Sequence, residues 1–230
     1  NIPYMETDNK LLNDAYRIAA GDIVGNIVYY QNGLLTEEKP CMIAGLDYNT
    51  PWTRDTAINI WNALSILSPE VSKNTLLAVL EEEEGNIYIG GQYWDSIIWM
   101  IGAREYCRFH KDDNFYRLAF EAGRNSVHRL EEDEFDEEDC LFRGPAVYGD
   151  GIAAYPDKYS KCPNQGSGIL EWVDYPGNPV YPKGYGIPMK ALSTNCVYFK
   201  VYEILAEMAH ALGEPAKEFE EKAAAMKKAI

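Results

Sequence analysis

Residues 56–67, TAINIWNALSIL, contain no charged side chain, and a helix of this composition has to be covered on most of its sides. Directly after it, Ser68-Pro69-Glu70 supplies an N-cap, a proline at the first helical position and an acid in the first turn, which predicts a second helix over about 69–84. The pair recurs. Residues 95–109 (DSIIWMIGAREYCRF) are mostly apolar, Asp112-Asp113 is a start signal, and a polar helix is expected over about 114–133. It recurs again at 191–212, where Val201, Leu205, Met208 and Leu212 form one stripe, closed by Gly213 and restarted at Pro215 into a Lys- and Glu-rich segment, 215–229. Nearly uncharged helices alternating with charged ones through tight turns describe hairpins with an inner and an outer ring of helices. The expected fold class is all-α, an (α/α) toroid of helical hairpins with 1–230 as a single domain. An ordinary all-α bundle fits the same elements but does not require so regular an alternation.

The hairpin period is loose, roughly 40 residues, and the third hairpin follows a long insertion at 136–190 rich in Gly, Pro and Tyr. So long a loop is usually functional, because its ordering entropy needs a return. Its aromatics, among them Phe142, Tyr148, Tyr155, Tyr159, Trp172, Tyr175, Tyr181 and Tyr185, need burial, which predicts an ordered lid on the rim of the toroid. A second irregular stretch, 31–53, leads into the first uncharged helix.

The composition, 47% hydrophobic and 25% charged, suits a globular domain with a large core. The longest apolar stretches are too short and too interrupted to cross a bilayer, so no membrane partner is expected. The chain opens on Asn1, and its localisation stays open. A formal net charge of −15 repels polyanions and removes the main term in nucleic-acid binding, which favours a neutral or cationic ligand. Part of that charge lies in two runs, 81–84 and 131–139, read as solvated helix ends and a loop. Five scattered cysteines without a C-x-x-C spacing indicate neither a zinc site nor a disulfide framework. His110, His128 and His210 read as surface residues, which argues against His chemistry or a His metal site. With no P-loop, G-x-G-x-x-G or G-x-S-x-G pattern, no cofactor and no metal are expected.

In Thr50-Pro51-Trp52-Thr53-Arg54-Asp55, threonine reads as the cap and proline as the first turn, which places Trp52, Arg54 and Asp55 at the N-terminal mouth of a buried helix. Sugars offer apolar C–H faces and hydroxyls, so a sugar site pairs an aromatic platform with charged hydrogen-bonding groups. A packed tryptophan over a local Arg-Asp pair is the plainer alternative. Trp94-Asp95 repeats the arrangement at the next uncharged helix. Asp150, between Gly149 and Gly151, sits where the backbone can approach a ligand closely, although a flanked Asp is also ordinary in turns. Glu171-Trp172 and Asp174-Tyr175 are further acidic-aromatic pairs on the same loop.

Residues 48–64, YNTPWTRDTAINIWNAL, resemble the first-hairpin motif of the six-hairpin glycosidases, especially glucoamylase-type members with their W-x-R-D sequence. Gly149-Asp150 is similar to the loop that carries the general acid in the trehalase and processing α-glucosidase branch, and 191–195 resembles its later Asn-containing inner helix. The resemblance implies an inverting glycoside hydrolase acting on an α-linked glucosyl, mannosyl or rhamnosyl-type substrate. In it Arg54 and Asp55 bind the sugar in the cleavage subsite and Asp150 is the acid; beside the resemblance, the residues themselves put Trp52, Trp94, Asp95, Tyr148 and Trp172 among the expected sugar-binding side chains and Glu171 as the runner-up acid. Inversion places a second carboxylate about 6.5–9.5 Å away across a water; the family pattern implies that residues 1–230 are the N-terminal part of a six-hairpin barrel that continues beyond 230, with that base in the late hairpins, beyond Ile230. Two other readings remain: a non-catalytic carbohydrate-binding or regulatory protein on the same toroid, and a sugar epimerase or polysaccharide lyase, against which the placing of the histidines weighs. Trp52, Arg54, Asp55, Trp94 and Asp95 are expected to share one cavity.

Overall fold

The computed structural model describes residues 2–91, 95–144 and 190–230. The fold is mostly helical. Helix α1 (Lys10–Gly25) is followed by a β-hairpin, β1 (Ile27–Tyr30) with β2 (Lys39–Met42). One long helix then runs as α2 (Thr53–Asn59), a π-helical turn (Ile60–Leu64) and α3 (Ser65–Leu67), and α4 (Pro69–Ala78) turns back beside it. The hairpin β3 (Leu80–Glu83) with β4 (Asn86–Ile89) leads to α5 (Asp95–Phe109) and α6 (Asp113–Glu134). A third, short hairpin, β5 (Phe135–Asp136) with β6 (Leu141–Phe142), precedes α7 (Leu192–Leu212) and α8 (Lys217–Ala229).

Side-chain contacts fix the helix directions. The long α2–α3 helix and α5 begin together, since Thr53 Oγ1 donates to Gly90 O at 2.9 Å just ahead of α5. They pass closely at Gly102, where a Cβ would stand 2.8 Å from Ala57 Cα. They end together too, His110 Nε2 lying 2.6 Å from Ser65 O, so the two helices are parallel. Helix α6 runs opposite to α5, with Phe115 edge-on to Tyr106 at 5.0 Å and Gly123 against Met100. Helix α7 runs opposite to α6, from Tyr202–Glu131 at 2.5 Å to Arg117–Glu214 at 3.5 Å. Thus α2–α3, α5 and α7 all point one way and α4, α6 and α8 return. The core fills the space between them, built on Ile60, Leu76, Trp99, Phe115, Tyr198, Leu205 and Phe219.

Several sequence expectations change here. The second helix stops at Ala78 rather than near 84, and the acidic run 81–84 belongs to a β-hairpin. Glu84 and Gly85 both take positive φ, 50° and 82°, the geometry of a two-residue turn whose twist matches the strands. The stretch 31–53 contains β2, paired to β1. The uncharged helix is covered on one side only: Ala57, Ile60, Leu64 and Ser65 are buried while Trp61 and Ile66 are exposed. The second acidic run is not simply solvated, because Glu134 is fully buried and Glu131 accepts from Lys222 at 2.7 and 2.8 Å. Of the histidines, His110 is half-buried against Tyr106 and closes the α5 end. His128, Glu131 and Glu218 meet where α8 crosses α6, with ligand atoms within 4.8 Å of one another. The Lys222 ammonium lies 2.6 to 2.8 Å from both carboxylates, so the group is an ion-pair fastening for α8. No described helix is long and apolar enough to cross a membrane.

Candidate functional site

The mouth forms where α2, α5 and α7 begin. At α2 the backbone is extended at Trp52 (φ −98°, ψ 134°) and the helix starts at Thr53. Thr50 and Pro51 therefore lie one step before the helix instead of capping it, as the bias of a pre-proline residue away from the α region favours. Thr50 Oγ1 shares a 2.7 Å hydrogen bond with Tyr30 OH, which ties this approach to β1. Trp52 is half-buried, with Tyr48 edge-on to its ring at 6.1 Å and 81°. Its Nε1 has no hydrogen-bond partner among the described residues. Arg54 and Asp55 follow in the first turn, both half-buried.

Asp95 opens α5 and is fully buried. A carboxylate at a helix N-terminus faces unpaired N–H groups and the positive end of the helix dipole, which offsets part of the cost of burying it. It is brought beside α2 by Gly91. With φ +108°, Gly91 adopts a backbone open to glycine, and a Cβ there would fall 2.7 Å from Thr53 Oγ1 and 2.9 Å from Asp95 Cβ. A cleft of about 200 Å³ opens alongside, lined by Asn32, Thr50, Trp52, Thr53, Glu81 and Gly91 among others; of the residues expected to share one cavity, Trp52 lines it, whereas Arg54, Asp55 and Asp95 do not. Trp52, Arg54, Asp55 and Asp95 are thus all carried on two adjacent helix starts at the same end of the helical array. Trp94, Tyr148, Asp150, Glu171 and Trp172, with nearly all of the 136–190 segment, lie outside the described residues.

The third helix start adds residues that the sequence did not single out as site residues. Asn195, buried in the first turn of α7, grips β6: its Oδ1 accepts from Phe142 N at 2.8 Å and its Nδ2 donates to Phe142 O at 3.0 Å. The carboxamide thereby substitutes for a missing strand neighbour, while Phe142 stacks face to face on Tyr198 at 3.5 Å. Beside this clamp the Glu134 carboxylate, fully buried, stands 3.8 Å from Arg143 Nε. Lys190 bridges Asp136 and Asp139 at 2.7 and 2.5 Å, and its backbone pairs with Gly144. The two flanks of the insertion are therefore stapled together at the mouth end. Glu134 was hidden in the sequence by its position in a run of acids; Asn195 was visible only as part of a helix motif.

Chemically, the described part of the mouth offers an aromatic platform in Trp52, the Arg54 guanidinium and carboxylates partly or fully withdrawn from water. That set can stack on an apolar ring face, hold vicinal hydroxyls and, with a carboxyl group of raised proton affinity, deliver a proton. In comparisons with known proteins, no protein family, curated protein or solved structure matches the chain.

Proposed function

We propose that the three hairpins are a segment of an (α/α) toroid and that the protein is a glycoside hydrolase. In this reading it cleaves an α-linked glucosyl, mannosyl or rhamnosyl-type sugar with inversion. The observation that carries the reading is the convergence of Trp52, Arg54, Asp55 and the buried Asp95 on two parallel helix starts joined through Gly91. The parallel run of α2–α3, α5 and α7, with α4, α6 and α8 returning, is the arrangement a ring of hairpins needs. The exposed apolar side chains Trp61 and Ile66 are what a ring would cover with its next helix. A charge of −15 is tolerable for a site whose ligand is a neutral glycoside.

In the proposed mechanism Trp52 stacks on the sugar ring while Arg54 and Asp55 hold its hydroxyls. Asp150 protonates the leaving oxygen, and a second carboxylate, across a water, activates the attacking nucleophile. Glu171 is the alternative acid. The test is Asp150→Asn in the full-length protein, assayed on a natural α-glycoside and on a nitrophenyl glycoside. Loss of the proton donor lowers turnover of the natural substrate by about 10² to 10⁴, and far less for the nitrophenolate leaving group, which needs little protonation. Equal losses on both substrates, or none, with Glu171→Gln abolishing natural cleavage, reassign the acid to Glu171. A protein that binds oligosaccharide but turns over neither substrate is a binding module, and the catalytic reading fails.

A further inference from the structure

The cleft of about 200 Å³ beside the mouth lies where α4 ends and α2 begins. Its walls combine the Trp52 indole and the backbone at the end of α4, Ala78 to Leu80, with the side chains of Asn32 and Glu81. Among the described residues that line it, Glu81 is the one ionisable side chain, and no lysine, arginine or histidine balances it. The carboxylate lies against the backbone at Gly90, where an added Cβ would stand 2.8 Å from Glu81 Cδ and 2.9 Å from Val79 O. A carboxylate and a helix-end carbonyl, both hydrogen-bond acceptors, are thus set side by side. Helix α4 carries no basic residue in its last turn, so nothing of its own offsets the negative end of its dipole there. The positive end of α2 is met by Asp55 in its own first turn. A cleft lined by one sign of charge concentrates ligands of the opposite sign.

We propose that this cleft binds a protonated amine carried on a sugar ring, an aminohexose unit adjoining the sugar held at the mouth. The ammonium donates to Glu81 and lies against Trp52, tryptophan being the best aromatic partner for a cation. The ring hydroxyls are within the compass of Asn32 and Thr50, which also line the cleft. A cavity of about 150 Å³ holds benzene, so a cleft of about 200 Å³ has room for one six-membered ring. The sugar ring rests on the glycoside reading given above, whereas the preference for a cation rests on the cleft itself. A sugar phosphate or sugar acid finds no basic side chain among the described lining residues. A bare calcium ion is poorly served by a single carboxylate, since it gathers about six to eight oxygen ligands.

The test is titration of the full-length protein with glucosamine, N-acetylglucosamine and glucose at mildly acidic pH, read from the NMR signals of the Trp52 indole and the Asn32 carboxamide. The first sugar carries the ammonium, and the other two offer the same ring without charge. Glucosamine binds about three- to thirty-fold more tightly than either neutral sugar, the worth of one exposed ion pair and one ammonium–indole contact together. Glu81→Gln lowers that preference by up to about five-fold, and Glu81→Lys, which sets a like charge in the cleft, abolishes it. Glu81 is exposed, so both variants fold. Equal binding of the three sugars, preference for a neutral one, or an amine preference unchanged in both variants overturns the inference. Turnover of neutral α-glycosides, measured separately, tests the glycosidase reading. Turnover without amine preference leaves that reading standing and removes the amine site, and a Glu81-dependent amine preference without turnover does the reverse.

Discussion

Gly91 holds the mouth together at the scale of single residues. Replacing it by alanine forces an L side chain into φ +108° and drives a Cβ against Thr53 Oγ1 and Asp95. The strained backbone alone costs about 1–3 kcal/mol. Gly91→Ala is therefore expected to lower the melting temperature by several degrees and, on the proposed function, to weaken sugar binding by moving α5 away from α2. Thermal unfolding together with a binding isotherm checks this, and an unchanged melting temperature would contradict it. Trp52, Arg54, Asp55 and Asp95 were legible because helix-start chemistry is local: a proline, a small polar residue and an acid within a few positions mark the beginning of a helix and hence its mouth. The glycine that joins two such starts was not legible, since the clash it avoids is with residues distant in sequence. Glu134 was concealed for a similar reason, because a run of acids gives no sign of which one the tertiary fold will enclose.

Among the helices, the closest approach is at Gly102. An alanine in a helix interior normally gains about 1 kcal/mol over glycine, but here its Cβ would meet Ala57 Cα at 2.8 Å and Ala57 O at 2.9 Å. These are backbone atoms that cannot rotate away. Gly102→Ala is thus expected to destabilise by about 1–3 kcal/mol, and a denaturant melt that shows stabilisation would mean the α2–α5 crossing is looser than described.

The cap of α6 makes a second prediction. Asp112 accepts from Phe115 N at 3.0 Å and from Lys73 Nζ at 2.5 Å. Partial burial works against its ionisation, but the Lys73 and Phe115 hydrogen bonds outweigh that and hold the carboxyl below its ordinary range. A depressed carboxylate pKa contributes stability that is present above the unfolded value, near pH 4, and is lost as pH falls through the folded value. Asp112→Ala should cost about 1 kcal/mol at neutral pH, with the difference from wild type shrinking on acidification below about pH 4; a pH-independent difference would remove the ionised cap from the account. The turns within the hairpins, marked by Pro69, Asp112 and Gly213, were readable because each carries local helix-start or helix-stop chemistry. The β-hairpin at 80–89 was not, since its four-residue strand is mostly glutamate, a poor strand former, and its periodicity is too short to compete with a helix.

At the scale of the molecule, among the described residues, α2–α3, α5 and α7 in parallel array with α4, α6 and α8 returning leave one end as a mouth and leave Trp61 and Ile66 exposed on a flank. The alternation of uncharged and charged helices made the hairpins legible. The direction of each hairpin relative to the next became visible only through contacts such as Thr53–Gly90 and Ser65–His110, which join residues far apart in the chain. Inverting hydrolysis of an α-glycoside can be followed by proton NMR of the first-formed anomer as the full-length protein acts on α-linked glucosides, mannosides and rhamnosides. The β-anomer is expected first, with the α-anomer growing in later by mutarotation; initial release of the α-anomer, or no release from any of these glycosides, would rule inversion out.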